Sequence, residues 1–279
     1  MENAINSLVE DILAKKELSN LDDELVLEKA KEFLKKRKKI SEKLSHNKYS
    51  EFKRSKEYKE VIKNIRAELR EVYGVFIMKD YQKRHNLLEK LKKNPSIEQH
   101  DKILALHKSS KERLPYYPII YKRIFEITGH PKRIIDFACG LNPLSYPYLG
   151  CKPEYLACDL AQKDLDFIEE YFEIMKINGK TKKIDLIKDN LKGLVKKEDL
   201  VFLFKTLDSL ESVKRDVSEQ ILRNLAAKHI IVSFSNKSLG GKKIIRKERR
   251  KWFERLISQL SYSSNSFEIP GELFYIITK

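Results

Sequence analysis

Two carboxylates stand where an apolar run gives way to a turn. Asp136 lies in Ile134-Ile135-Asp136-Phe137-Ala138-Cys139-Gly140-Leu141-Asn142-Pro143, and Asp159 closes Tyr155-Leu156-Ala157-Cys158-Asp159 before Leu160. A buried strand running into a Gly-containing turn is how open α/β sheets present a nucleotide site at their carboxyl edge. Gly140 permits close backbone approach to a ligand, and an acid at the end of the next strand accepts hydrogen bonds from both ribose hydroxyls. The loop lacks the GxGxxG of pyrophosphate cofactors, which disfavours NAD and FAD, and the chain has no GxxxxGK[ST] phosphate loop. A nucleoside cofactor without phosphate fits, and S-adenosylmethionine is such a molecule. Taken singly, each residue also has a structural reading: Asp136 as a turn cap, Asp159 as a strand-end charge, Cys139 as a small packing residue. The pair at this spacing favours cofactor binding.

Other chemistries are poorly supplied. The chain has six His and three Cys (Cys139, Cys151, Cys158), with no CxxC spacing, no Ser-His-Asp or Cys-His arrangement and no expected metal site. The 279 residues carry 57 Lys+Arg against 41 Asp+Glu, a net charge of +16, which favours a polyanionic partner. Positions 237–255 concentrate the excess, with nine basic residues against two acidic ones. A second run, Lys35 to Lys39, is flanked by Glu28, Glu32 and Glu42 and reads as a solvated helix face. No stretch has the roughly 18 apolar residues of a membrane span. The N-terminus lacks a signal-peptide layout, so a cytoplasmic protein is expected.

These residues need a scaffold, and the chain offers two kinds. The first hundred residues read as helix: Leu8, Ile12 and Leu13 share a face, as do Val61, Ile65, Leu69, Val72 and Phe76. Breaks are expected at Ser19-Asn20, Ser45-His46-Asn47 and Asn94-Pro95-Ser96. Beyond residue 115, short apolar runs alternate with helical ones. Strands are expected at Arg133–Phe137, Tyr155–Asp159, Lys183–Ile187, Leu200–Phe204, His229–Phe234 and Leu273–Thr278, with helices such as Lys163–Ile177 and Ser212–Ala227 between them. Phe267-Glu268-Ile269, Pro270-Gly271 and ELFYIIT close the chain as a hairpin. The expected fold is α/β: a class I, Rossmann-like methyltransferase with a mostly parallel seven-stranded sheet ending in an antiparallel hairpin. A helical N-terminal domain (1–105) precedes the methyltransferase domain (106–279).

A series of motifs in order then resembles the Arm/Rmt family of aminoglycoside-resistance 16S ribosomal RNA methyltransferases. His107-Lys108-Ser109-Ser110-Lys111-Glu112-Arg113-Leu114 resembles that family's HxSTRERL, and DFACGLNPL its DIACGLNPL. Asp199–Leu207 with Leu210-Glu211 is similar to its fourth motif, and Val232–Gly241 to VSFPTRSLGG. Trp252-Phe253-Glu254 and Glu272–Ile276 echo WFE and ELIY. The chain departs from the family at Thr206, Asp208, Ser209 and Ser235.

The resemblance implies S-adenosylmethionine as cofactor and guanine N7 in the decoding region of the 30S subunit as target. A monomer acting on 16S rRNA is expected. Asp136 and Gly140 would line the methionine end, Asp159 the ribose and Asp189 the adenine, with Ala138, Leu160, Asn190 and Phe204 as further cofactor-binding residues. The family's basic residue for the cofactor carboxylate corresponds to Lys111 or Arg113. Lys205 and Thr206 would border the target base, and Lys237, Lys242, Lys243, Arg246 and Arg249 would contact RNA phosphates. A housekeeping rRNA or tRNA target, or a non-catalytic RNA-binding relic, are the alternative readings. Tyr116, Tyr117, Tyr146 and Tyr148 flank the loop and read as packing residues before base-stacking ones.

Overall fold

The computed structural model describes residues 2–237, 245 and 250–279. The chain divides into two compact units, Met1–Ile77 with Ala161–Lys163, and Met78–Leu160 with Asp164–Lys279. Residues 78–105, which the helical pattern groups with the N-terminus, thus cluster with the sheet.

The first unit holds helices α1 (Glu2–Leu13), α2 (Asp23–Lys36), α3 (Lys38–His46), α4 (Tyr49–Phe52) and α5 (Lys56–Val72). Their apolar stripes supply its interior: Leu8 and Ile12 from α1, Val26, Ala30 and Leu34 from α2, and Val61, Ile65 and Leu69 from α5 are buried. Ser55 caps α5 by accepting a bond from the Tyr58 amide (3.1 Å). Asp11 gathers the hydroxyls of Tyr49 (2.6 Å) and Tyr58 (3.0 Å) and the ammonium of Lys53 (2.7 Å). The Lys35–Lys39 run is exposed, but it is split: α2 ends at Lys36 and α3 begins at Lys38. Its first cations lie at a helix C-terminus, where the dipole favours them.

The second unit continues through α6 (Arg84–Lys93), α7 (Ile97–Leu104), α8 (Lys108–Arg113) and α9 (Tyr117–Thr128) to a seven-stranded sheet. Its strands are β1 (Arg133–Phe137), β2 (Glu154–Asp159), β3 (Gly179–Lys183), β4 (Leu200–Phe204), β5 (His229–Ser235), β6 (Ser263–Ile269) and β7 (Glu272–Thr278). The order is β3-β2-β1-β4-β5-β7-β6. Strands β1 to β5 pair in parallel, while β7 is antiparallel to both β5 and β6. The central strands β1 and β4 are apolar runs because both faces are covered. One face packs Ile135, Phe137, Val201, Leu203, Ile230 and Val232 against Phe253 and Leu222. The expected class I architecture and terminal hairpin are therefore present.

Two expectations are corrected. The third strand is Gly179–Lys183, not Lys183–Ile187; it pairs Tyr155 with Gly179 and Asp159 with Lys183. Ile184 and Leu186, which mimic a strand in sequence, instead bury themselves in the core from the following loop. The lysines of β3 suit an exposed sheet edge. The helix between β2 and β3 is α10 (Gln162–Ile174), but the expected helix Ser212–Ala227 is two helices, α11 (Leu207–Val213) and α12 (Val217–Asn224). Asp216 adopts φ 60° between them, and the Glu211 carboxylate accepts the amides of Asp216 (2.9 Å) and Ser218 (2.7 Å).

Candidate active site

From β1 the chain moves outward to β2 and β3, then returns to place β4 on the other side of β1. The carboxyl ends of β1 and β4 flank this reversal, the usual ligand position of such sheets. The backbone is strained at both of them. Ala138, just after β1, has φ 50°, and Lys205, just after β4, has φ 56°. Non-glycine residues in the left-handed region concentrate at functional sites.

The β1 turn is held by side chains from several elements. The Asp159 carboxylate accepts the Gly140 amide (2.9 Å) on one oxygen and the Leu160 amide (2.7 Å) on the other. Gly140 itself has φ 49°, and a Cβ there would lie 2.7 Å from Cε1 and 2.8 Å from Nε2 of His107. Burial, with Arg113 and Lys205 nearby, lowers the His107 pKa to about 3, so the ring is neutral. His107 is thus a wall of the turn rather than an acid or base.

Asp136 is 1% exposed. One of its oxygens accepts from the Tyr155 hydroxyl (2.7 Å) and from Nδ2 of Asn142 (2.8 Å). Burial nevertheless raises its pKa from 3.8 to about 7, the hydrogen bonds and Arg113 opposing the rise. The folded protein therefore holds a proton at pH values where the unfolded chain has lost it. This group favours folding most below pH 3.8, and its contribution is lost as pH rises to about 7. His107 acts in the opposite sense, favouring folding as pH rises from 3 to 6.5. Asp136→Asn removes only the first effect. Urea melts at pH 5 and pH 8 should show the variant gaining about 2 kcal/mol relative to wild type on going to the higher pH. An identical pH dependence in both proteins would contradict this account of Asp136.

Of the two basic candidates on α8, Lys111 is exposed and Arg113 buried. Two positions along a helix are turned by roughly 200°, so they face opposite ways. The Arg113 guanidinium donates to the Ser109 carbonyl (3.2 Å) and to Oδ1 of Asn142 (3.3 Å), and lies 4.9 Å from the Phe204 ring centre. Its Nε is 3.8 Å from Glu272, which begins β7. Glu272 is a hub that sequence reasoning missed. It also approaches Lys205 Nζ at 3.1 Å and accepts from the Ser233 hydroxyl. A lone acid opening an apolar strand was the available signal.

The remaining candidates are distributed more widely. Lys205 also bonds Glu112 (2.6 Å), so two carboxylates engage its ammonium. Thr206 is buried and donates to the Phe204 carbonyl (3.2 Å). Asp189 is exposed and accepts the Asp185 amide (2.8 Å), and Asn190 accepts the Lys192 amide (3.0 Å). Tyr117 stacks on Tyr121 and Tyr148, with centroids 5.7 and 5.8 Å away, and its hydroxyl donates to Asn142 (3.1 Å). Lys237 is exposed, while Lys242, Lys243, Arg246 and Arg249 lie outside the described residues. Arg250, counted with the basic run, turns inward: it pairs with Asp208 (2.6 Å), donates to the Ser235 carbonyl (2.9 Å) and covers the Phe234 ring. Two of the departures in sequence, Asp208 and Ser235, are thus joined by one buried guanidinium.

With this geometry established, comparison with known proteins decides the family. A family model described as ribosomal RNA methyltransferase (FmrO) matches residues 51–276. The chain belongs to this family. Among relatives, a 16S rRNA (guanine(1405)-N(7))-methyltransferase of Micromonospora rosea is 29% identical over 232 residues, covering 79% of this chain and 83% of the relative. A protein of the same description from Proteus mirabilis is 26% identical over 242 residues, covering 79% and 85%. The solved structure of the 16S rRNA methyltransferase RmtF with S-adenosyl-L-homocysteine shares the fold, with TM-score 0.80, 24% identity and coverage of 100% and 99%. That of the 16S rRNA methylase ArmA has TM-score 0.56 and 28% identity, covering 70% of this chain and 97% of ArmA. The resemblance read from these motifs is borne out.

Proposed function

We propose that this protein transfers the methyl group of S-adenosylmethionine to N7 of a guanine in the decoding region of 16S rRNA, within the 30S subunit, and so confers aminoglycoside resistance. The observation that carries the reading is the turn after β1, bonded through Asn142 to the buried Arg113 guanidinium and through Gly140 to the Asp159 carboxylate at the end of β2, in a chain of the rRNA methyltransferase family.

The residues fit the cofactor. Arg113 offers a charged donor fork for a carboxylate, and Asp136, Ala138 and Gly140 a narrow turn for the methionine end. A carboxylate can accept about four hydrogen bonds, and Asp159, which already accepts the Gly140 and Leu160 amides, is the proposed acceptor for the ribose hydroxyls. Leu160, Asp189, Asn190 and Phe204 complete the proposed surround. Bound S-adenosylmethionine supplies an electrophilic sulfonium methyl. Guanine N7 carries an in-plane lone pair and no proton, so no general base is needed, in keeping with a neutral His107. Catalysis then rests on alignment and on the local charge, with Lys205 and Thr206 beside the base. Turning that base out of its helix costs about a few kcal/mol, and the proposed phosphate contacts from Lys237, Lys242, Lys243, Arg246 and Arg249 would offset it. The helical region 1–105 is proposed to recognise the ribosome, and the protein to act as a monomer in the cytoplasm.

Isothermal titration calorimetry checks the cofactor half of this reading. S-adenosylmethionine and S-adenosylhomocysteine should each bind one site with a micromolar dissociation constant. Absence of binding at millimolar ligand would overturn it.

A further inference from the structure

Asn142 occupies an unusual electrostatic position, between an acid and a base that are both buried. Its Nδ2 donates to Asp136 (2.8 Å), and its Oδ1 accepts from Arg113 (3.3 Å) and from the Tyr117 hydroxyl (3.1 Å). The amide has only one orientation that satisfies these partners, because a guanidinium only donates and a carboxylate accepts. Tyr155 donates to the same Asp136 oxygen (2.7 Å), and Tyr117 is itself held in an aromatic stack. Asn142, Asp136 and Arg113 are 1%, 1% and 2% exposed. In so dry a setting opposite charges attract strongly, and without a spacer Arg113 and Asp136 would close on each other.

We propose that Asn142 is a positioning residue: it holds the Arg113 guanidinium apart from Asp136 on a neutral acceptor, and so keeps that positive charge available to the carboxylate of the cofactor's amino-acid end. This rests on the cofactor reading above. The neutral amide bonds both groups without pairing them, so Arg113 faces one carboxylate, Glu272 (3.8 Å), rather than two. A direct Arg113–Asp136 pair would spend the guanidinium's donors inside the protein.

The test compares two ligands on the full-length protein. S-adenosylhomocysteine has the amino-acid end; 5′-methylthioadenosine keeps the nucleoside and sulfur and lacks it. Asn142→Leu retains the size of the side chain and removes both bonds. Asn142→Asp, nearly isosteric and therefore the safer variant for folding, replaces the donor with an acceptor and pairs Arg113 with a second carboxylate. Each variant that retains the wild-type circular dichroism spectrum should bind S-adenosylhomocysteine ten- to a hundredfold more weakly by calorimetry. Its affinity for 5′-methylthioadenosine should change less than threefold. Equal weakening of both ligands would make Asn142 a support of the loop alone and overturn the proposal, as would unchanged affinity for both. Failure of the wild type to bind either ligand would instead overturn the cofactor reading on which it rests.

Discussion

Gly140→Ala should lower the melting temperature by several degrees and abolish S-adenosylmethionine binding. Gly140 has φ 49°, and the new methyl would sit 2.7 Å from the His107 ring. The backbone conformation costs a residue with a Cβ about 1–2 kcal/mol, and forcing a methyl into a filled space adds about 1–3 kcal/mol. Relief by moving the loop would pull the Gly140 amide off Asp159 and disorder the turn proposed to receive the cofactor. Placing the substitution in a His107→Ala background separates the two causes. The double variant should recover about 1 kcal/mol or more of coupling energy in chemical denaturation, while the backbone part remains. Strict additivity would show that the ring is not the obstacle.

The second large effect is expected at Asp159. Its two oxygens already latch the β1 turn and the start of the segment after β2. Asp159→Ala removes the latch together with the proposed ribose acceptors. Hydrogen bonds to a charged group contribute about 1.5–3 kcal/mol each, so losing two on the ligand should weaken S-adenosylmethionine binding by roughly a hundredfold or more. Asp159→Asn tests the charge: an amide must aim an NH2 group at one of two backbone donors, so it should recover little. Calorimetry measures both variants. Wild-type affinity in Asp159→Ala would remove this residue from the cofactor site.

These two positions were legible in the sequence because strand, turn and acid recur in a fixed relation. The strands that carry them were equally plain: β1, β2, β4 and β5 are apolar runs that a parallel sheet buries on both faces. Strand β3 was misplaced because GKTKK, on the sheet edge, has no apolar pattern, whereas Ile184 and Leu186 do. Lys111 and Arg113 could not be told apart from their types alone. The phase of α8 buries one and exposes the other. The roles of Asn142 and Glu272 were hidden for a different reason. Each acts through contacts distant in sequence, Asn142 with Arg113 and Tyr117, Glu272 with Arg113, Lys205 and Ser233. No local pattern records such partners.

The central claim concerns the acceptor atom, and one measurement addresses it directly. Purified 30S subunits incubated with the protein and tritiated S-adenosylmethionine should take up label, and mapping of the modified nucleotide by mass spectrometry should place it as a single 7-methylguanine in the aminoglycoside-binding part of the decoding region. Label at another nucleotide, in tRNA alone, or in no RNA despite intact cofactor binding would contradict the account.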